Sequence, residues 1–462
     1  MTKTEKTGPS PRETALLILY QVAEKGAFAN LELNKVLNRG TYRGLDRSFI
    51  TELVYGTIRM QGRIDYILGL FIKKPLNTLP LWILLILRLG VYQIMFLDKV
   101  PERAAVNESV KLAKKYGHAG TVKLVNGVLR NITRQKDQIV YPSLEQDPVN
   151  HIALLYSHPQ WMVEGWLEQF GREETLELCA WNNTSPQVTL RTNTLKTTRE
   201  GLLLRLKEEG VASRPGRFVP ESIILEEVTA IASLPSYQEG LFQVQDEGSM
   251  LVAHVLQPSP GSRMLDLCAA PGGKTTHVAQ LMKNQGEIKA FDLYPHKLSL
   301  IDESCKRLGI TIVETAVQDG TQLPDSLTHW ADYCLVDAPC SGLGVLRRRP
   351  DARWNKEKGD IGALAAIQKK LLSAAAKTVK PGGILVYSTC TITPEENEAL
   401  VCWFLREHED FALDPIDQIL GFPLGDLGDH EKPSQGMLQL YPHRHGTDGL
   451  FMARMKKRHE VK

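Results

Sequence analysis

Three kinds of feature are scarce in this chain, and each absence excludes something. Its seven cysteines, at positions 179, 268, 305, 334, 340, 390 and 402, form no Cys-x-x-Cys pair. An odd, scattered set argues against a disulfide framework and a structural zinc site, so no metal and a reducing cytoplasm are expected. The polar start MTKTEKTGPS is followed by no apolar run, so no secretory signal is expected. The most apolar stretch, Leu79–Leu97, has Pro80 near its start and Arg88 near its middle. A central arginine is costly in lipid, so this stretch is expected to be a buried helix of a bundle rather than a membrane span. No Gly-x-Gly-x-x-Gly fingerprint for dinucleotides occurs, and no internal repeat or low-complexity tract is evident.

What is present is a globular composition of 462 residues, 43% hydrophobic and 23% charged, long enough for several domains. The net charge of +2 hides an asymmetry. Met1–Val140 holds 22 Lys and Arg against 11 Asp and Glu, a net of +11, and the remainder carries −9. A basic first third fits either a polyanionic partner such as nucleic acid or a merely soluble basic domain.

Apolar residues recur at helical spacing from about Pro11 to Ile132, as in RETALLILYQV and DRSFITELVYGTIRM, with the join GTYRGLD before the second. This predicts an all-α bundle over 1–140 and a polar linker after it. From 151 to 240 a helix with two tryptophans, PQWMVEGWLEQFG, precedes short strands and a further helix, giving a small α+β module. From 241 to 462 strands and helices alternate, which predicts a parallel, doubly wound α/β sheet.

The chemistry-bearing motifs lie after strands of that sheet. LDLCAAPGGKTTH is a strand, a small-residue turn and a helix start, suited to close approach by a ligand. It is not a P-loop, which would need glycine where Cys268 stands. The next strand ends at Asp292, an acceptor for ribose hydroxyls, and Asp319 follows the third; together they suit an adenosyl ligand. DAPCSGLGVLRRRPDARW offers Asp337, Cys340 and a basic loop. Its Arg347, Arg348, Arg349 and Arg353 either hold phosphates or form a solvated turn, and Trp354 could stack on a base. In LVYSTCTITPEENE, Pro394, Glu395 and Glu396 suit the first turn of a helix, so Cys390 lies between strand and helix. On this stretch alone Cys390 is either a small buried hydrophobe or a thiol at a ligand-binding edge.

LDLCAAPGGKTTH, DAPCSGLGVLRRRPD, YSTCTITPEENE and the closing PHRHGTDGLFMARMKK together resemble, in order and spacing, the RNA cytosine-C5 methyltransferases of the NOL1/NOP2/Sun family. The resemblance covers nearly the whole chain. It implies a NusB-like RNA-binding bundle, a small RNA-recognition-like module and a Rossmann-like methyltransferase domain. For the bacterial branch with a NusB-like bundle it implies methylation of cytosine 967 of 16S ribosomal RNA using S-adenosyl-L-methionine; a monomer is expected. Residues Cys268, Ala269, Ala270, Pro271, Gly272, Gly273, Lys274, Asp292, Asp319 and Asp337 would then bind that cofactor, with Asp337 also facing the base. Cys390 would be the nucleophile and Cys340 the release group, or the reverse, since DNA cytosine-C5 methyltransferases place the nucleophile after a proline. The other cysteines would be structural. A tRNA or another rRNA cytosine as substrate, and a non-catalytic NusB-like RNA-binding factor, are the rival readings.

Overall fold

The computed structural model of the protein describes residues 8–37, 42, 44–226, 230–417, 420 and 435–459. The polar N-terminal residues 1–7 and most of the GTYR join lie outside them. The chain forms two compact units, Met1–Thr184 with Leu346–Asn355, and Ser185–Val345 with Lys356–Lys462.

The first unit is helical. Its described helices are Pro11–Lys25, Ala29–Leu37, Leu45–Arg59, Gln61–Phe71, Leu81–Phe96, Glu102–Tyr116, Ala119–Gln135, Pro148–Leu155, Gln160–Phe170 and Arg172–Trp181. Their starts follow local capping chemistry. Ser10 accepts the Glu13 N–H ahead of a proline at the first position, and Asp147 does the same for Asn150 ahead of Pro148. Leu16, Ile50, Leu53, Ile64, Ile86, Leu87 and Leu129 form a fully buried core. Helix Leu81–Phe96 is the apolar stretch singled out above. Its Arg88 makes a two-pronged ion pair with Asp65 at 2.8 and 2.7 Å, so the charge is satisfied inside the bundle. Among the described residues no helix is long and apolar enough to cross a membrane.

Leu346–Asn355, the basic loop, belongs to this unit, and its arginine reading needs correction. Arg353 is fully buried. Its guanidinium donates to the carbonyls of Arg59 (3.3 Å), Ser157 (3.2 Å) and Asn182 (2.6 Å) and to Asn183 Oδ1 (2.8 Å). Arg59 ends one helix, Asn182 caps another, and Ser157 follows a third. Terminal helix carbonyls lack intrahelical donors and carry the negative end of the dipole, so a buried cation fits there. Trp354 donates its indole N–H to the Ile58 carbonyl at 2.7 Å and packs on the helical core, so it is no free stacking platform. Arg347 is buried over the Trp181 ring, and only Arg349 of the four is exposed.

The second unit holds two sheets. β1 (Val188–Thr192), β2 (Ser213–Pro215), β3 (Ser222–Leu225) and β4 (Phe242–Val244) pair antiparallel in the order β2-β3-β1-β4. Helix Arg199–Glu208 buries Leu202 and Leu206 with Leu190, Ile223 and Phe242 in their core. The larger sheet contains β5 (Arg263–Asp266), β6 (Glu287–Asp292), β7 (Val313–Val317), β8 (Ala331–Asp337), β9 (Val379–Thr389), β10 (Phe411–Leu413), β11 (Met437–Leu440) and β12 (Leu450–Lys457). Its order is β10-β12-β9-β8-β5-β6-β7, with β11 also on β12. β5 to β9 are parallel, as the alternation predicts. β12 runs antiparallel to β9, β10 and β11, so the sheet is mixed rather than wholly parallel. The closing segment PHRHGTDGLFMARMKK supplies β12, which follows β11 across a short connection and pairs with it antiparallel.

Alternate residues of the central strands face opposite layers. Met264, Leu335 and Val386 enter one apolar cluster, and Leu265, Val336 and Leu385 the other. Both faces are therefore covered, and the open chemistry is left to the strand ends. The order reverses at β5, whose neighbours are β6 and β8.

Arg353→Ala should lower the stability of the helical unit by about 3 kcal/mol, since several buried acceptors lose a charged donor. Urea unfolding followed by tryptophan fluorescence checks this; an unchanged midpoint would refute the anchoring role.

Candidate active site

Asp266 ends β5 and is completely buried. Thr275 Oγ1 donates to its Oδ2 at 2.8 Å. Burial pushes its pKa up to about 7, the Thr275 bond opposing and the Asp337 charge adding to the rise. The turn that follows carries Cys268, Ala269, Ala270, Pro271 and Gly272, with a cis Ala270–Pro271 bond. Gly272 has φ of +94°, and a Cβ there would stand 3.2 Å from Ile301, so both backbone and space call for glycine. Gly273 opens the helix Gly273–Leu281.

Lys274, on that helix, donates to Asp337 Oδ2 at 2.7 Å, and Ser388 Oγ of β9 donates to Asp337 Oδ1 at 2.8 Å. Burial works against the Lys274 charge, but Asp337 and, further down, Cys390 outweigh it and hold the pKa above the ordinary lysine value. Burial pushes the Cys268 thiol up as well, reinforced by the charges of Asp266, Asp337 and Asp292.

Asp292 ends β6, beside β5. Its Oδ1 accepts the Tyr294 N–H at 3.0 Å, and Lys297 Nζ lies 3.8 Å away. Leu293, Tyr294 and Val317, the last opposite Asp292 on β7, are exposed apolar residues at this edge. Asp319 is exposed, and its Oδ1 accepts both the N–H and hydroxyl of Thr321, which lower its pKa. It forms a local turn, in contrast to the tight cluster around Lys274.

Cys340 and Cys390 come together, from the ends of adjacent strands β8 and β9. Their Sγ atoms are 3.3 Å apart, and the Cys390 N–H donates to Cys340 Sγ, also at 3.3 Å. The bond to Cys390, then burial, hold the Cys340 thiol well above the usual range. Cys179, Cys305 and Cys334 are buried, and Cys402 is exposed.

The structure also gathers residues that sequence reasoning passed over. The helix after PEEN starts at Glu398, not at Pro394. Glu396 is consequently no dipole partner; it is buried and accepts hydrogen bonds from Ser341, Thr393 and Gln368. The hydroxyl-rich STCTIT beside it was the available signal. Arg191 of β1, also fully buried, donates to the Gly273 carbonyl (2.6 Å), Thr276 Oγ1 (3.0 Å) and Gln245, fixing the helix start to the smaller sheet. No period marks such a residue. Glu221, His254 and His277 cluster nearby. Both Nε2 atoms lie 2.6–2.7 Å from one Glu221 oxygen. Donors around zinc at about 2.0–2.2 Å stand farther apart than that, so this is a hydrogen-bonded trio.

Against known proteins, residues 253–456 match the family model described as 16S rRNA methyltransferase RsmB/F. A probable ribosomal RNA small subunit methyltransferase B of Bacillus subtilis is 40% identical over 97% of this chain and 99% of its own length. The chain belongs to the RsmB/F methyltransferase family. Residues 9–134 match the NusB family and residues 158–232 the ferredoxin-like domain of RsmF/B-like methyltransferases. The ribosomal RNA small subunit methyltransferase B of Pseudomonas syringae pv. tomato is 34% identical over 97% of each chain. Among solved structures, PH0851 has a TM-score of 0.83 at 29% identity, covering 98% of this chain and 99% of its own. NSun6 from Pyrococcus horikoshii, determined with SFG, has a TM-score of 0.59 at 27% identity, covering 66% and 99%. The RsmB/F match contains both thiols, Lys274, Asp266, Asp292, Asp319 and Asp337.

Asp266 generates a pH prediction for this RsmB/F-family site. Its folded pKa of about 7 lies above the unfolded value of 3.8, so the folded state holds a proton the unfolded state lacks. Its contribution to stability therefore falls as pH rises from about 4 to about 7. Asp266→Asn should flatten the pH dependence of the urea midpoint across that window; curves that stay parallel to wild type would refute it.

Proposed function

We propose that the chain methylates C5 of a cytosine in 16S ribosomal RNA, at position 967, through a covalent adduct between cysteine and C6. The observation that carries the reading is the pair of thiols 3.3 Å apart at the ends of β8 and β9, with a charged lysine beside them. Two thiols in one site have no use in a protein that only binds RNA, which disfavours the NusB-like binding factor. The small-subunit rRNA names of relatives alignable end to end favour 16S over tRNA. Position 967 rests on the family resemblance.

S-adenosyl-L-methionine supplies an electrophilic sulfonium methyl. The residues present fit it. Asp292 offers an acceptor for ribose hydroxyls, and Leu293, Tyr294 and Val317 offer apolar surface for a purine. The relative NSun6 was determined with SFG, an analogue of this cofactor. In this assignment the turn Cys268–Lys274 and Asp319 complete the cofactor site, and Asp337, oriented by Lys274 and Ser388, also faces the base.

Cytosine C5 is a poor nucleophile. Addition of the Cys390 thiolate at C6 makes C5 enamine-like and able to take the methyl. Loss of the C5 proton and departure of the thiolate restore the ring, with Cys340 assisting release. The Lys274 cation favours a thiolate at Cys390. The base must leave its stack to arrive there. The domains 1–140 and 151–240 would hold the RNA and 241–462 would carry out the transfer.

Asp292→Ala should weaken S-adenosylmethionine binding by about 1.5–3 kcal/mol, the worth of a hydrogen bond to a charged acceptor; unchanged calorimetric affinity in the folded variant would rule the role out. Cys390→Ala should abolish methyl transfer to 16S rRNA and leave no covalent species. Cys340→Ala should accumulate a protein–RNA species on a denaturing gel that is lost in the double variant. The reverse pattern would make Cys340 the nucleophile.

A further inference from the structure

Cys340 and Cys390 lie fifty residues apart in sequence, on separate loops that follow different strands. Side chains in such loops do not meet at 3.3 Å unless something fixes both backbones. One buried carboxylate touches both loops. Glu396 Oε1 accepts the Ser341 N–H at 2.8 Å and Gln368 Nε2 at 3.0 Å. Its Oε2 accepts the Ser341 hydroxyl and, at 2.7 Å, the Thr393 hydroxyl. Gln368 Nε2 also donates to the Pro339 carbonyl at 2.9 Å. The residues before and after Cys340 are thus held by one connected network. On the other loop, Thr391, next to Cys390, bonds the Ser341 hydroxyl at 2.7 Å, and the Glu396 carbonyl accepts the Tyr387 hydroxyl of β9, also at 2.7 Å.

We infer that Glu396 is the positioning residue that holds Cys340 and Cys390 together for the covalent cycle, by accepting hydrogen bonds from both thiol-bearing loops at once. The inference rests on the cysteine roles proposed above. Glu396 touches neither sulfur; it acts through Ser341, Thr393 and Gln368. A carboxylate suits the position because it is acceptor-only and can take four donors, whereas an amide offers one acceptor atom. Glu396 is completely buried, and a buried carboxyl group there needs such a full set of donors. Its charge also faces Cys340 and, after the Cys390 bond and burial, helps keep that thiol protonated.

Two measurements test this in the full-length protein. The first is steady-state methyl transfer to unmethylated 16S rRNA. Glu396→Ala should lower kcat by about 100-fold, the scale of a 1 Å misplacement, while KM for S-adenosylmethionine and for RNA stays within about twofold. Glu396→Gln keeps an acceptor for Ser341 N, and the two hydroxyls can turn to accept from its amide, so it should recover at least about tenfold of that loss. Wild-type kcat in the alanine variant, or a glutamine variant no better than alanine, would overturn the inference.

The second measurement needs no RNA. Diamide takes two electrons and two protons from a pair of thiols, forming a disulfide as its N=N bond is reduced to a hydrazine. Wild type should form the Cys340–Cys390 disulfide, identified by peptide mass, and Glu396→Ala should form it at least about tenfold more slowly at an unchanged melting temperature. Equal rates would overturn the inference. If the alanine variant does not fold, Ser341→Ala, which removes one donor of the network, takes its place in both arms. If wild type transfers no methyl to 16S rRNA, the proposed function fails while the cross-linking arm still decides the role of Glu396.

Discussion

Lys274 keeps its charge at the buried end of the sheet because Asp337 stands 2.7 Å away, and Asp337 is held in turn by Ser388. Those three side chains belong to the helix after β5, the end of β8 and the end of β9, so one ion pair fastens the place where the strand order reverses. Removing either partner would leave an unpaired buried charge, which costs far more than the pair contributes. The cofactor turn on one side and the two thiols on the other are therefore referenced to a common point. Arg191 and the Glu396 network extend that reference outward, the first into the smaller sheet and the second between the thiol-bearing loops.

Much of this was legible in the sequence because it is local. Alternating strand and helix patterns announced β5 to β9, and the small-residue run at Ala269–Gly273 announced a tight turn. The helical spacing of the first 135 residues, including the arginine inside its most apolar helix, announced a bundle. The losses all have one physical origin: a sequence pattern states which face an element shows, not which polar atom elsewhere will lack a partner. Arg353 and Trp354 look like nucleic-acid contacts in a basic loop, yet helix-terminal carbonyls nearly 300 positions earlier in the chain claim them. Glu396 looks like a helix-start carboxylate, yet the helix begins two residues later and donors on two loops claim it. The four aspartates make the same point. Asp266 is fully buried on a threonine hydroxyl, Asp337 is ion-paired, Asp292 accepts a backbone N–H at the edge, and Asp319 closes an exposed turn. Only burial and neighbours separate them.

The placement of Leu346–Asn355 inside the first unit bears on how the chain is made. Arg353 bonds the Arg59 carbonyl across 294 positions and the Asn182 carbonyl across 171. A ribosome adds about 5–20 residues per second, so the helices of the first unit emerge many seconds before the segment that finishes them. Until then the carbonyls of Ile58, Arg59, Ser157 and Asn182 lack the donors that Arg353 and Trp354 bring. Final consolidation of the N-terminal unit is thus a late event in synthesis, delayed until β8 and the Cys340 loop have already left the tunnel. The first unit is therefore completed only after part of the second has been made, while the second still awaits β9 and β12.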